Sequence, residues 1–343
     1  MSKTWLRTVW PRRLLLAGLG LALALGLVLG YSAWRKPSPA LPLERLSIAV
    51  PNTPHATLLH LARARGFFAA AGLEIQTVQV THGKLALEQL VRGGVDLAAA
   101  AELPFVIQVM KGQPLAMLAA ISSSSNDMAV VARRDRRIQG PADLVGKRIG
   151  LTLGTSGEYF LSAFLTRYQL EPGAMHLVDL PPDRLVQNLV TGELDAIAAW
   201  QPSRALAQQA LNSNGLSLLE PNAYTSTYVL AGGKALLQQR PRAMEKLMRA
   251  LLLAEEFLRE QPAQARLLVA QQLGVEPATL ELGWREQVFR VDLLQPQLIT
   301  LEDEARWAQA KGYAEPQPQP NFLAHLYLDA LLAVEPERVT VVH

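Results

Sequence analysis

A twelve-residue pattern occurs twice in this chain. Residues 91–102 (VRGGVDLAAAAE) lie on residues 190–201 (VTGELDAIAAWQ) without a gap. Each copy reads as a helix end closed by glycine, an aspartate, a short apolar strand and a polar residue, with Pro104 or Pro202 close behind. One supersecondary unit repeated about a hundred residues apart predicts two similar α/β lobes. It also makes Ala101-Glu102 and Trp200-Gln201 equivalent, each at the C-terminal end of its strand, the edge where open α/β sheets take ligands.

The second copy is preceded by residues 147–164, KRIGLTLGTSGEYFLSAF, which predict a strand, a tight loop and a helix. Gly154 and Gly157 supply backbone freedom for the turn. Thr155 is placed to cap the helix, with Glu158 three residues on completing a capping box. A helix starting there aims unpaired N–H groups and the positive end of its dipole at the space above the strand, a seat for a small polar or anionic ligand. Before the first copy, residues 46–50 predict a strand, 55–72 one helix behind Thr53 and Pro54, 73–80 a strand and 85–92 a helix. Two apolar strands flank the polar run from Ser122 to Asp127, either a solvated loop or a polar floor between lobes. Residues 222–231 predict an extended return crossing. Helices follow over 240–272 with a break at Gln261-Pro262, then over 277–290, 301–311 and 321–334. Glu302, Asp303 and Glu304 fall at a predicted helix start, where carboxylates oppose the dipole favourably and have a structural role.

At 343 residues the chain has length for about two domains. Its net charge of +3 is deceptive, because Lys3, Arg7, Arg12, Arg13, Arg35 and Lys36 precede every acid. Without those six, 27 basic side chains face 30 acidic ones, which argues against a nucleic-acid surface. Residues 14–34 carry no charge, behind four cations, and are either a secretory signal cleaved after Gly30 or a signal-anchor with Tyr31 and Trp34 at the interface. Either way the expectation is a body that is periplasmic, secreted or anchored to the outer face of the cytoplasmic membrane. Residues 1–36 form this segment, and 37–45 (PSPALPLER) a proline-rich linker. With no cysteine, disulfides, thiol catalysis and a lipid-carrying cysteine are excluded.

No catalytic residue, metal set or cofactor motif emerges. His55 and His60 lack H-E-x-x-H spacing, and Ser156 lacks the G-x-S-x-G frame of a nucleophile elbow. What the chain does offer is a ring of strand-end turns rich in small polar groups. The candidate ligand-binding residues are Asn52, Thr53, His55, Thr81, His82, Gly83, Glu102, Ser123, Ser124, Asn126, Gly154, Thr155, Ser156, Gly157, Tyr159, Trp200, Gln201 and Tyr228. Two lobes facing each other across these ends would form a cleft that binds without reacting. Lys84 stands at its edge; Glu102 and Glu158 point toward an amine or heterocycle, and Trp200 toward stacking.

The strings GKRIGLTLGTSGEYFL, LVDLPPDRLVQNLVTGELDAIAAWQP, GVDLAAAAELPFV and LEDEARWA resemble the substrate-binding proteins of ABC importers in the nitrate, sulfonate, taurine and thiamine-pyrimidine-precursor group, over about residues 46–312. The resemblance implies a type II periplasmic-binding fold, α/β, with two lobes of open mixed sheets flanked by helices. Lobe 1 would comprise 46–132 plus 232–343, and lobe 2 133–231. It also implies a monomer that captures a small organic molecule, sulfonate, taurine, nitrate-like or pyrimidine-like, for an importer permease. The alternatives are a membrane-anchored sensor using the same cleft, or a pyrimidine-synthesis enzyme of the same fold.

Overall fold

The β-branched and alanine-rich runs form two five-stranded mixed sheets. The structure is a computed structural model that describes residues 43–342 apart from Asn222. The apolar segment 14–34 and most of the linker lie outside the described residues, among which no helix is long and apolar enough to cross a membrane. In chain order the strands are β1 (Glu44–Pro51), β2 (Leu73–Val80), β3 (Leu97–Ala101), β4 (Leu115–Ser124), β5 (Ala129–Arg133), β6 (Arg148–Leu151), β7 (His176–Asp179), β8 (Ala196–Ala199), β9 (Gly215–Leu218) and β10 (Ser226–Gly233). The first sheet runs β2-β1-β3-β10-β4 and the second β7-β6-β8-β5-β9.

The repeat explains the match between them. β3 and β8 hold the same central place, each parallel to one neighbour (β1 or β6) and antiparallel to the other (β10 or β5). The repeated aspartate does the same work twice. Asp96 Oδ2 accepts the Ser47 N–H of β1 at 2.7 Å, and Asp195 Oδ2 accepts the Arg148 N–H of β6 at 2.9 Å, so each pins its strand's entry to the neighbouring one.

The chain crosses between sheets twice, at 125–128 and at 219–225. β5 pairs in the second sheet and β10 in the first, so each lies across the expected boundary at 132/133 or 231/232. A short apolar strand such as AVVAR carries no mark of the sheet it will join. We call each sheet with its helices a lobe.

Four expected helices are corrected. The run over 55–72 breaks into a 3-10 turn and the helices Thr57–Ala64 and Phe67–Ala70, because Gly66 takes a left-handed φ of 71°. The expected 277–290 helix stops at Trp284, and 321–334 divides into a 3-10 turn (Phe322–His325) and the helix Asp329–Val334. Most consequential, the helix expected from 301 begins at Gln295, which puts Glu302, Asp303 and Glu304 in its middle, with Glu304 fully buried. The Pro241–Glu260 helix lays one apolar stripe, Met244, Leu247, Met248, Leu251 and Phe257 among it, on the first-lobe core. The second sheet has a separate core on each face.

Candidate functional site

The C-terminal strand ends of both lobes, the first crossing and the start of β10 enclose a cavity of about 450 Å³ including its part open to solvent, within the size range of small-molecule sites. Of the residues expected there, Thr53, His55, His82, Gly83, Thr155, Ser156, Trp200 and Tyr228 line it. Lys84, Ala101, Pro104, Asp127, Met128 and Ser226 join them.

The 3-10 turn after β1 seats His55, whose Nε2–H donates to Asp127 Oδ2 at 2.9 Å, both side chains being buried. Asp127 comes from the first crossing and also accepts the Gln287 side-chain N–H at 2.9 Å. The imidazole stacks on Tyr228 at 5.2 Å and 23°. Burial pushes the Tyr228 phenol up, and its hydroxyl lies beside that of Thr53 without a bond of good geometry. Asp127 is therefore a lining acid already held by two donors. One lone carboxylate at the end of a serine run between apolar strands was the signal available for it.

His82 and Lys84 come from the turn before the Gly83–Val91 helix and its first residues. Burial, followed by the nearby Lys84 ammonium, lowers the His82 imidazole below its ordinary value. Lys84 Nζ donates across the cleft to the Leu153 carbonyl at 3.0 Å. Gly83 lets this helix press on β3: a Cβ there would sit 2.6 Å from the Ala100 Cα, a backbone atom that cannot move aside cheaply. Gly83→Ala is expected to cost about 1–3 kcal/mol, measured by denaturant unfolding. An unchanged midpoint would mean the helix shifts freely.

From the second lobe, the Ser156–Arg167 helix presents its N-terminus. The expected capping box does not form. Thr155 Oγ1 donates to the Thr152 carbonyl, and Glu158 Oε2 accepts the Gly154 N–H at 2.8 Å and the Tyr313 hydroxyl. Closing this loop over Glu158 leaves the Ser156 hydroxyl buried at the cavity wall, beside Tyr224 but without a well-formed bond. Trp200 covers the same helix start, its ring so near Gly157 that a Cβ there would lie 3.1 Å from Cζ3.

The other expected residues point elsewhere. The Asn52 amide turns to the Leu273 carbonyl, Thr81 bonds His82, and Ser123 pairs its backbone with Val288. Ser124 holds the Asn126 N–H, while the Asn126 amide reaches Glu286. Gly154 sits under the Tyr313 ring, Gly157 under Trp200, and Tyr159 packs edge-on against Tyr224 and Trp307. Gln201 lines a separate polar groove with Arg204 and Glu286. Glu102 lies behind the cavity wall, accepting the Tyr224 hydroxyl and the Thr227 N–H.

Two mixed α/β sheets, two crossings and a cavity at the facing strand ends define a periplasmic-binding-protein fold. The alkanesulfonate-binding protein SsuA from Xanthomonas axonopodis pv. citri, solved bound to MOPS, superposes with a TM-score of 0.73 at 19% identity over 84% of this chain and 99% of its own. The chain belongs to the NMT1/THI5-like family, whose model matches residues 52–265. It is 24% identical to the taurine-binding periplasmic protein of Escherichia coli over 178 residues, 52% of this chain and 54% of that one. It is also 24% identical to the 2'-hydroxybiphenyl-2-sulfinate desulfinase of Rhodococcus erythropolis over 322 residues, 76% of this chain and 84% of the enzyme.

Proposed function

We propose that this protein captures a small organic anion of the sulfonate type between its lobes, outside the cytoplasm, and hands it without turnover to an ABC-type importer. The observation that carries the reading is the balance of donors at the cavity. Ser156 brings a buried hydroxyl at the N-terminus of a twelve-residue helix, and His82 and Lys84 approach from the opposite lobe. The lining acid, Asp127, is already satisfied by His55 and Gln287. Of the two that pointed toward an amine, Glu158 is held by the Gly154 N–H and the Tyr313 hydroxyl, and Glu102 lies behind the cavity wall and does not line it. A ligand carrying oxyanion oxygens on a short apolar body matches such walls, with Trp200 and Tyr228 against the body. The taurine-binding and alkanesulfonate-binding relatives support the same class.

The test is a thermal-shift panel on the full-length protein: alkanesulfonates, taurine, nitrate, amines and pyrimidines. A ligand at a hundred times its Kd adds about 2.7 kcal/mol, a shift of about 4 °C for a chain of this size. Sulfonates should shift the midpoint and amines should not. A panel in which only amines or pyrimidines act, or nothing does, would sink the reading.

A further inference from the structure

Behind the Ala101 and Ser156 walls of the cavity lies a buried cluster that ligand contact does not explain. The Tyr224 hydroxyl stands 2.7 Å from Glu102 Oε1 and 2.9 Å from Glu304 Oε1, and both carboxyl groups are buried. A phenol has one hydrogen to donate. Glu102 Oε1 also accepts the Thr227 N–H at 2.8 Å, so it is the acceptor for Tyr224. The second contact then needs a hydrogen from Glu304, donated to the phenol oxygen. Two ionised carboxylates around one hydroxyl would leave bare oxygens facing each other in a buried space.

The surroundings do not neutralise the pair. His55, from the turn after β1, is the basic side chain that acts on Glu102. Glu304 meets the carboxyl of Glu102 and the Tyr224 hydroxyl. From the second lobe Tyr159 packs on Tyr224 at 4.9 Å, and Arg306, on the helix of Glu304, acts on Tyr159. Burial raises Glu102 to about 7 and pushes Glu304 well above the ordinary carboxyl range.

The cluster also spans three parts of the site. Glu102 and Glu304 belong to the first lobe, Tyr224 and Thr227 to the second crossing and the start of β10, and the Tyr224 hydroxyl lies beside Ser156 of the second lobe. We propose that Glu102, Tyr224 and Glu304 are positioning residues for the cavity: while the carboxyl pair holds one proton they clamp Tyr224 to the first lobe and seat the Ser156 hydroxyl, and loss of that proton at higher pH releases both. This rests on the capture reading of the cavity, for which it makes affinity decline as pH rises.

The test needs no ligand. It compares full-length wild type, Glu304→Gln and Tyr224→Phe by melting temperature from pH 5 to 8 and by hydrogen exchange of the Glu158, Tyr159 and Thr227 amides. A carboxyl raised in the folded state gives stability that is complete below the ordinary glutamate range and lost as pH rises through its raised folded value, about 7 for Glu102 and likewise well above the ordinary range for Glu304. The wild-type midpoint should therefore fall with pH, by at least about 2 °C. Glu304→Gln, whose amide always donates to Tyr224, should make that slope shallower, with buried Glu102 left as the one raised carboxyl. Exchange at the three amides, corrected for intrinsic rate, should quicken several-fold from pH 6 to 9 in wild type, not in Glu304→Gln, and be fast throughout in Tyr224→Phe. Equal slopes for wild type and Glu304→Gln, or exchange indifferent to pH in both, would reduce the cluster to passive packing. If Glu304→Gln does not fold, Glu102→Gln carries the same test, since one raised carboxyl in place of two must make the slope shallower. A panel without binders would sink the capture reading while these measurements decide the proton claim independently.

Discussion

Trp200→Ala should weaken capture of any sulfonate that scores in the thermal-shift panel by roughly 30- to 1,000-fold, the 2–4 kcal/mol of a buried aromatic anchor. Trp200 follows directly on β8 at the cavity wall, half-buried, with its ring over Gly157 at the start of the Ser156–Arg167 helix. Its removal takes away a stacking face and uncovers the helix N-terminus to water, which weakens every polar contact made there. Part of the ring also packs on the second-lobe core, so the unliganded protein should lose about 1–2 kcal/mol, less than a fully buried aromatic. Calorimetric titration beside a denaturant melt separates the two effects. Retained affinity with a midpoint lowered as far as a core deletion lowers it would make Trp200 a structural residue.

The second large effect falls on stability. His55→Ala removes one partner of a buried hydrogen-bonded pair whose side chains are 7% and 1% exposed, leaving the Asp127 carboxyl with Gln287 as its remaining donor. Leaving a buried acceptor short of a donor costs about 1–3 kcal/mol, and more where the group is charged. Removing both partners is less harmful, so the double variant His55→Ala/Asp127→Ala should be more stable than His55→Ala alone. Urea unfolding of the single and double variants decides it. A loss below about 1 kcal/mol for His55→Ala would mean that water reaches Asp127 and the pair is worth no more than a surface one.

Much of the architecture was legible in local pattern. The glycine-closed helix end, the aspartate and the apolar strand of each copy predicted two related lobes, and β3 and β8 do hold matching places in their sheets. The predicted bounds of β2 coincide with the strand itself, and the break at Gln261-Pro262 separates two helices, since alternation, apolar spacing and proline act over a few residues. Strand ends marked the general location of the cavity for the same reason, and eight of the expected residues line it.

What the sequence determined by itself was therefore the set of elements, the repeat and the edge at which the cavity lies. Tertiary structure decided which sheet β5 and β10 join, which polar residues of the turns face the cavity, and which carboxylates lose water. Asp127 meets His55 from 72 positions away, and Tyr224 joins Glu102 and Glu304 across 122 and 80. Glu302, Asp303 and Glu304 look alike in a sequence window, yet Glu304 turns into the core because the Gln295–Ala310 helix starts earlier and packs that face on the first lobe. Hydrogen-bond periodicity is a short-range property of the chain. Desolvation and charge pairing depend on which distant segments the packing brings together.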